Sequence, residues 1–255
     1  MLDDGPGGEP IAAGFGHLPS VPRLELSGRQ ELAVLAQALF ALGYADHMAG
    51  HITIRQDDHT LLCNPWGLQW DQITATDVIR IDLQGNRIEG SWPVPPGIPL
   101  HLALHAAREH VRFAVHNHTH WSGLWAAAHT VPPVIDQTAG LTDAEVTLVD
   151  EFDGAVDEMT FAEAAIARMG SADIALLANH GIFVLGDSAA QTYLRCYAFE
   201  WRCRRAAEVA AVGSGVPLRP EVHAALAKVV ESQGFPGYWD AAVRTAVLAR
   251  PRVLF

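Results

Sequence analysis

Val111-Arg-Phe-Ala-Val-His116-Asn117-His118-Thr-His120 is an apolar run that ends in histidines at every second position. Residues two apart on a strand point the same way, so His116 and His118 can share one ion. A second apolar run, Ile174-Ala-Leu-Leu-Ala-Asn179-His180-Gly181, closes on another histidine that can complete the set. Three neutral imidazoles leave positions on a metal open, as a catalytic site requires and a closed structural site does not. The chain holds 13 histidines, so an i, i+2 pair arises by chance; context favours a metal here. Both runs are continuous apolar segments of the kind that become buried central strands. Both carry their histidines at the C-terminal end, where open α/β sheets tend to place ligands.

Working outward, Gln30 to Leu42 has apolar residues at helical spacing, with Ser27 as cap and Gly43 as stop. His51-Ile-Thr-Ile-Arg55 alternates and, with Leu61-Leu-Cys63, predicts a hairpin. A turn over Thr74–Asp77 leads into a strand over Val78–Leu83, which ends at Gln84-Gly85-Asn86. After the proline-rich stretch Gly90–Pro99, the pattern predicts a helix over Pro99–His110. Further helices are expected over Trp121–Ala128, Phe161–Met169, Ala189–Val212, Pro220–Ser232 and Tyr238–Ala249. Strands are expected over Ile174–Ala178 and Ile182–Leu185, and the stretch from Val131 to Val149 reads as mixed. The order predicts a three-layer α/β/α domain with a mixed sheet over residues 23–255. Residues 1–22, rich in Gly and Pro, read as a flexible tail.

At 255 residues, 49% hydrophobic and 18% charged, the chain is long enough for one sizeable core and too apolar to be disordered. A formal charge of −12, with no cluster of Lys and Arg, argues against nucleic acid as a partner. The apolar stretches are too short to span a bilayer, which takes about 20 residues. The first ten residues have no signal-peptide pattern, so a soluble, cytoplasmic protein is expected. Cys63, Cys196 and Cys203 form no CxxC pair and are expected to be reduced and structural.

These pieces, in this order, resemble the class II aldolase/adducin family. The matching segments are Gly50-His-Ile-Thr-Ile-Arg55, where the family has Gly-Asn-Ile-Ser-x-Arg, then Asn64-Pro65-Trp66-Gly67, Asp77–Gly85, His101–Val111, His116-Asn117-His118 and Asn179-His180-Gly181. They run from about residue 27 to 212. The resemblance implies a class II aldolase-like fold with a central mixed, mainly antiparallel sheet. It further implies a homotetramer with sites between subunits, a small-molecule substrate, and one divalent ion (Zn, Mn or Fe(II)) on His116, His118 and His180.

The departures from the family bear on substrate. Sugar-phosphate aldolases carry a Ser-Ser-Glu segment four residues before the helix histidine matching His101, and its glutamate acts as acid/base. Here that segment is Pro95-Pro96-Gly97, and the phosphate-binding Asn is His51. Gly97 can neither bind a metal nor move a proton, so a sugar phosphate is a poor candidate substrate. Decarboxylation needs no base to take a proton from carbon, only a donor to quench the carbanion, with the metal as electron sink. The reading is therefore a metal-dependent carbon–carbon lyase, a decarboxylase of a hydroxylated aromatic carboxylic acid. His51 and His120 are the expected proton carriers, with His120 continuing the i, i+2 side of the strand. Trp66, Gly67, Gly97 and Trp121 are expected to line the substrate. Three alternatives stand beside it: a non-haem iron oxygenase of an aryl keto or hydroxy acid, an aldolase for a non-phosphorylated substrate, and a non-catalytic scaffold like the adducin head domain.

Overall fold

A computed structural model describes residues 24–150, 158–213, 215–233 and 236–255. The expected tail over 1–22 lies outside them. The first helix, α1 (Gly28–Ala41), starts where expected: Ser27 caps it through a reciprocal bond pair with Gln30, the Gln30 side-chain oxygen accepting from Ser27 N at 3.0 Å. It ends at Leu42, followed by Gly43 at φ +98°, a conformation that costs glycine least.

Among the described residues, eight strands form one sheet: β1 (His51–Arg55), β2 (Leu61–Cys63), β3 (Ile79–Ile81), β4 (Arg87–Glu89), β5 (Phe113–Asn117), β6 (Val146–Val149), β7 (Ile174–Leu177) and β8 (Gly181–Gly186). Their spatial order is β4-β3-β2-β1-β5-β8-β7-β6, every pair antiparallel except β6 with β7. The remaining helices are α2 (Pro99–Ala107), α3 (His120–Ala127), α4 (Met159–Met169), α5 (Ala189–Val212), α6 (Pro220–Gln233) and α7 (Pro236–Ala249).

Alternation along the strands sorts the core into two layers. On one face Ile52, Ile54, Phe113, Val115, Ile182 and Val184 pack with α1, α5 and α7. On the other, Ala114, Ala175, Phe183 and Leu185 pack with α2 and α4. The expected three-layer α/β/α fold with a mixed, mainly antiparallel sheet is what forms. His51, Thr53 and His116 fall on the α2 face, because they share the parity of Ala114 and alternate with Ile52 and Val115.

Several sequence expectations are corrected. The strand over Val78–Leu83 is shortened to Ile79–Ile81, because Asp82 accepts from the backbone of Gln84 and Asn86 and bends the chain back into β4, which alternation did not reveal. The mixed stretch holds β6, the one parallel strand. The helix expected to reach His110 stops at Ala107. The run after β5 does not stay extended to His120: the strand ends at Asn117, Thr119 takes the N-cap, and His120 opens α3. The three cysteines are free and buried, as expected. Among the described residues, no helix is long and apolar enough to cross a membrane.

Candidate metal centre

His116 sits on β5, the fifth strand of eight, and is buried. Its Nδ1 donates to the Ile182 carbonyl of β8 at 2.9 Å. A carbonyl only accepts, so Nδ1 carries the proton and Nε2 presents a lone pair. His118, just beyond the strand, is oriented in the same manner by a different group: its Nδ1 lies 2.7 Å from an Asp46 carboxylate oxygen. With both Nδ1 atoms engaged by acceptors, the two Nε2 atoms face each other at 3.1 Å. Two neutral imidazoles so arranged aim lone pair at lone pair, which repels unless a cation lies between them. A tetrahedral zinc with Zn–N of about 2.0–2.1 Å has N···N edges of about 3.3–3.4 Å, close to the separation found.

His180 supplies the third imidazole from the turn between β7 and β8. Its ring lies 4.8 Å from the rings of both His116 and His118, and ligand atoms of the three all come within 4.8 Å of one another. Asn179 precedes it at φ 55°, a left-handed conformation that Asn tolerates. Burial holds His180 as the neutral imidazole, down to about 4, with the His118 charge adding to the effect. His116 is likewise held well below its ordinary value, first by burial and then by its histidine neighbours. Neutral imidazole is the form that ligates, so the donor set fits a divalent ion.

His51 stands directly opposite His116 in the β1–β5 pairing, with ring centroids 5.4 Å apart. Its ring is buried and Nδ1 has no partner within the protein. Gly97 explains how the ring fits: a Cβ at 97 would lie 2.3 Å from His51 Cε1. Behind His51, Thr53 Oγ1 bonds His101 Nδ1 and His105 Nε2, each at 2.8 Å, tying β1 to α2.

The other expected site residues lie elsewhere. His120 is solvent-exposed at the start of α3, its ring edge-on to Trp121 at 4.8 Å. Trp121 is half-buried with the Arg204 guanidinium 6.0 Å over its ring, which ties it to α5. Trp66 and Gly67 meet the segment after β4: Trp66 N–H donates to Pro93 O at 2.9 Å, and Gly67 lies against the Trp92 ring. Trp70 is core, stacked on Tyr44 and bonded through Nε1 to Gly50 O. Asp46 was not singled out from sequence, because it lies in an aperiodic loop and only the fold brings it to His118.

A mixed sheet with three imidazoles converging beside a central strand defines an α/β protein with a metal-type site. The chain belongs to the class II aldolase and adducin N-terminal domain family, whose pattern matches residues 30–207. Metal-dependent lyase chemistry is characteristic of the class II aldolase members of this family, whereas its adducin members are not enzymes. An aldolase class 2-type protein of Caulobacter vibrioides is 28% identical over 206 residues, covering 79% of this chain and 80% of that one. Two solved structures share the fold. The crystal structure of an aldolase II superfamily protein from Pseudomonas syringae gives a TM-score of 0.78 at 23% identity, over 88% of this chain and 94% of that chain. L-fuculose 1-phosphate aldolase from Glaciozyma antarctica gives 0.76 at 21% identity, over 98% and 100%.

Proposed function

We propose that the protein is a metal-dependent carbon–carbon lyase, a decarboxylase acting on a hydroxylated aromatic carboxylic acid. The observation that carries this reading is the exchange at 51 and 97. Where sugar-phosphate aldolases of the resembling family place a glutamate, this chain has Gly97, and the adjoining space holds the His51 ring. The same exchange removes the phosphate cradle, since Pro95 and Pro96 stand in for its serines.

His116, His118 and His180 hold the ion in this reading. A divalent cation held by these three residues would supply an electron sink for cleavage of the C–C bond. His51 Nδ1, buried and unpartnered, is the protein atom nearest in kind to a proton carrier. It relays a proton from solvent to the carbon that releases CO2: burial holds the imidazole down to about 3, so a proton on it is given up readily. An orphaned buried polar atom costs about 1–3 kcal/mol, which speaks for a use that the protein alone does not satisfy. His120, exposed on α3, is the weaker candidate. Gly97 lies against the His51 ring, and Trp66 and Gly67 are the residues proposed to contact the aromatic ring of the substrate. A small-molecule substrate, a homotetramer and a single domain over residues 23–255 complete the proposal.

The test is anaerobic CO2 release from a panel of hydroxyaryl carboxylates by the metal-loaded protein, run beside oxygen uptake with iron. Oxygen-independent release that His51→Asn abolishes while metal content stays full supports the decarboxylase. Oxygen consumption on aryl keto acids overturns it in favour of the oxygenase.

A further inference from the structure

Helix α3 is tied at its two ends to two different histidines of the triad. At its start, the buried Glu200 carboxylate of α5 accepts from Thr119 Oγ1 at 2.7 Å, from Trp121 N at 2.9 Å and from Ser122 N at 3.1 Å. A buried carboxylate on the free N–H groups of a helix start is a strong anchor. It fixes Thr119, the residue next to His118. At the far end, Asn179 N donates to Ala126 O of α3 at 3.2 Å, and Asn179 Nδ2 lies 2.8 Å from His129 Nε2. His129 Nδ1 is bound to the Asp150 carboxylate. Since the carboxylate only accepts, Nδ1 carries the proton, Nε2 is bare, and the Asn179 amide must donate to it. Asn179 is the residue before His180.

His129 also occupies a costly backbone position. It follows the end of α3 at φ 49°, where glycine is the favoured residue and other side chains are disfavoured by about 1 kcal/mol or more. A histidine there is unfavourable for local folding, and its side chain bridges the Asp150 carboxylate to the Asn179 amide of the corner that carries His180.

We infer that α3 is a strut that sets the spacing of His118 and His180, with Glu200 and His129 as its positioning residues. This rests on the metal reading of the triad. The strut holds the corner that carries His180, while His116 is set by the sheet itself and His118 by Asp46 as well.

The experiment is Co(II) titration of the full-length apoprotein, following the visible d–d bands and the dissociation constant by chelator competition, with apoprotein melting measured alongside. His129→Gly removes the side chain and relaxes the backbone, so the apoprotein melts no lower than wild type. Co(II) nonetheless binds about 10-fold more weakly, in line with other outer groups that orient ligands, and its spectrum changes. His129→Gln, whose oxygen accepts from Asn179, recovers most of the affinity. Glu200→Gln, which turns an amide toward backbone N–H donors, weakens Co(II) by a similar factor. Leu124→Ala, on the exposed face of α3, leaves both readouts unchanged. Wild-type Co(II) binding with unchanged affinity and spectrum in His129→Gly overturns the strut alone. A wild type that binds no Co(II) overturns the metal reading, and the strut with it.

Discussion

His51 and Gly97 fill one space: a methyl group on residue 97 would come within 2.3 Å of Cε1, 3.0 Å of Nδ1 and 3.2 Å of Nε2 of the His51 ring. The ring is packed on its other sides by His116 and by His101, whose rings lie at 5.4 and 5.8 Å. No swing away from residue 97 is available without moving the β5 or α2 histidines. A larger residue at 97 therefore calls for a smaller one at 51.

Gly97→Ala destabilises the protein by about 1–3 kcal/mol, the usual cost of an extra methyl in a filled core. In a His51→Asn background the same change costs less than about 0.5 kcal/mol, because the smaller side chain vacates the contact. A double-mutant cycle by urea denaturation reads the coupling directly. Equal costs in the two backgrounds would show that the ring and residue 97 do not compete.

Restoring the family's carboxylate does not restore sugar-phosphate cleavage. Gly97→Glu alone meets the His51 ring, and even paired with His51→Asn it lacks the serines replaced by Pro95 and Pro96. The double variant folds and shows no turnover of a ketose 1-phosphate in a coupled assay. Measurable cleavage would mean that the phosphate cradle is not needed.

Under the proposed function each of His116, His118 and His180 supplies one of three protein ligands, so alanine at any of them is expected to remove metal and activity together. Elemental analysis after purification without added metal checks this. Full occupancy in any one variant removes that residue from the ligand set.

Asp46→Asn keeps an oxygen near His118 Nδ1 but loses the charge that holds the ring in its ligating tautomer. Metal affinity falls by about 10-fold, and by up to about 100-fold for Asp46→Ala, the range found for carboxylates behind metal-bound histidines. Competition with a chromophoric chelator measures it. Wild-type affinity in Asp46→Ala would show that the neighbouring strand alone orients His118.

Much of this is legible in sequence, for physical reasons that also set the boundary of what is not. The apolar runs before His116 and His180 announce buried strands because both faces of a central strand are covered. Ser27 with Gln30, and Gly43, mark α1 because end effects are local. The three-histidine set is readable because two of its members share a strand parity. β4 escapes because a three-residue edge strand with every residue exposed has no burial pattern to read. His120 leaves the strand's i, i+2 side because β5 ends at Asn117 and the helix capped by Thr119 turns it outward, a local switch that alternation does not reveal. Asp46, His129 and Glu200 reach the site from sequence separations of 50 residues or more, through bonds that only the folded chain creates. The fit of His51 to Gly97 is of the same kind: each departure is visible in sequence, but their contact is not.

The buried histidines behind the site make folding acid-sensitive, and His105 isolates the effect because it lies away from the triad. Burial, and then the charge of Arg55, press its ring down to about 3. Thr53 and His101 are the polar groups beside it on β1 and α2, and the Arg55 guanidinium bonds its backbone carbonyl. Unfolded, a histidine takes up its proton near about 6.5. Between these two values the unfolded chain binds one proton more than the folded one at this position. Stability is thus fully present above about pH 6.5, declines as pH falls, by up to about 1.4 kcal/mol per unit for each such group, and has lost this contribution below about 3. His105→Gln retains a partner for Thr53 and removes the titration. Its urea midpoint is expected to lie below wild type at pH 8, and the gap to narrow as pH drops toward 5. A gap that stays constant across that range would show that His105 does not titrate on unfolding.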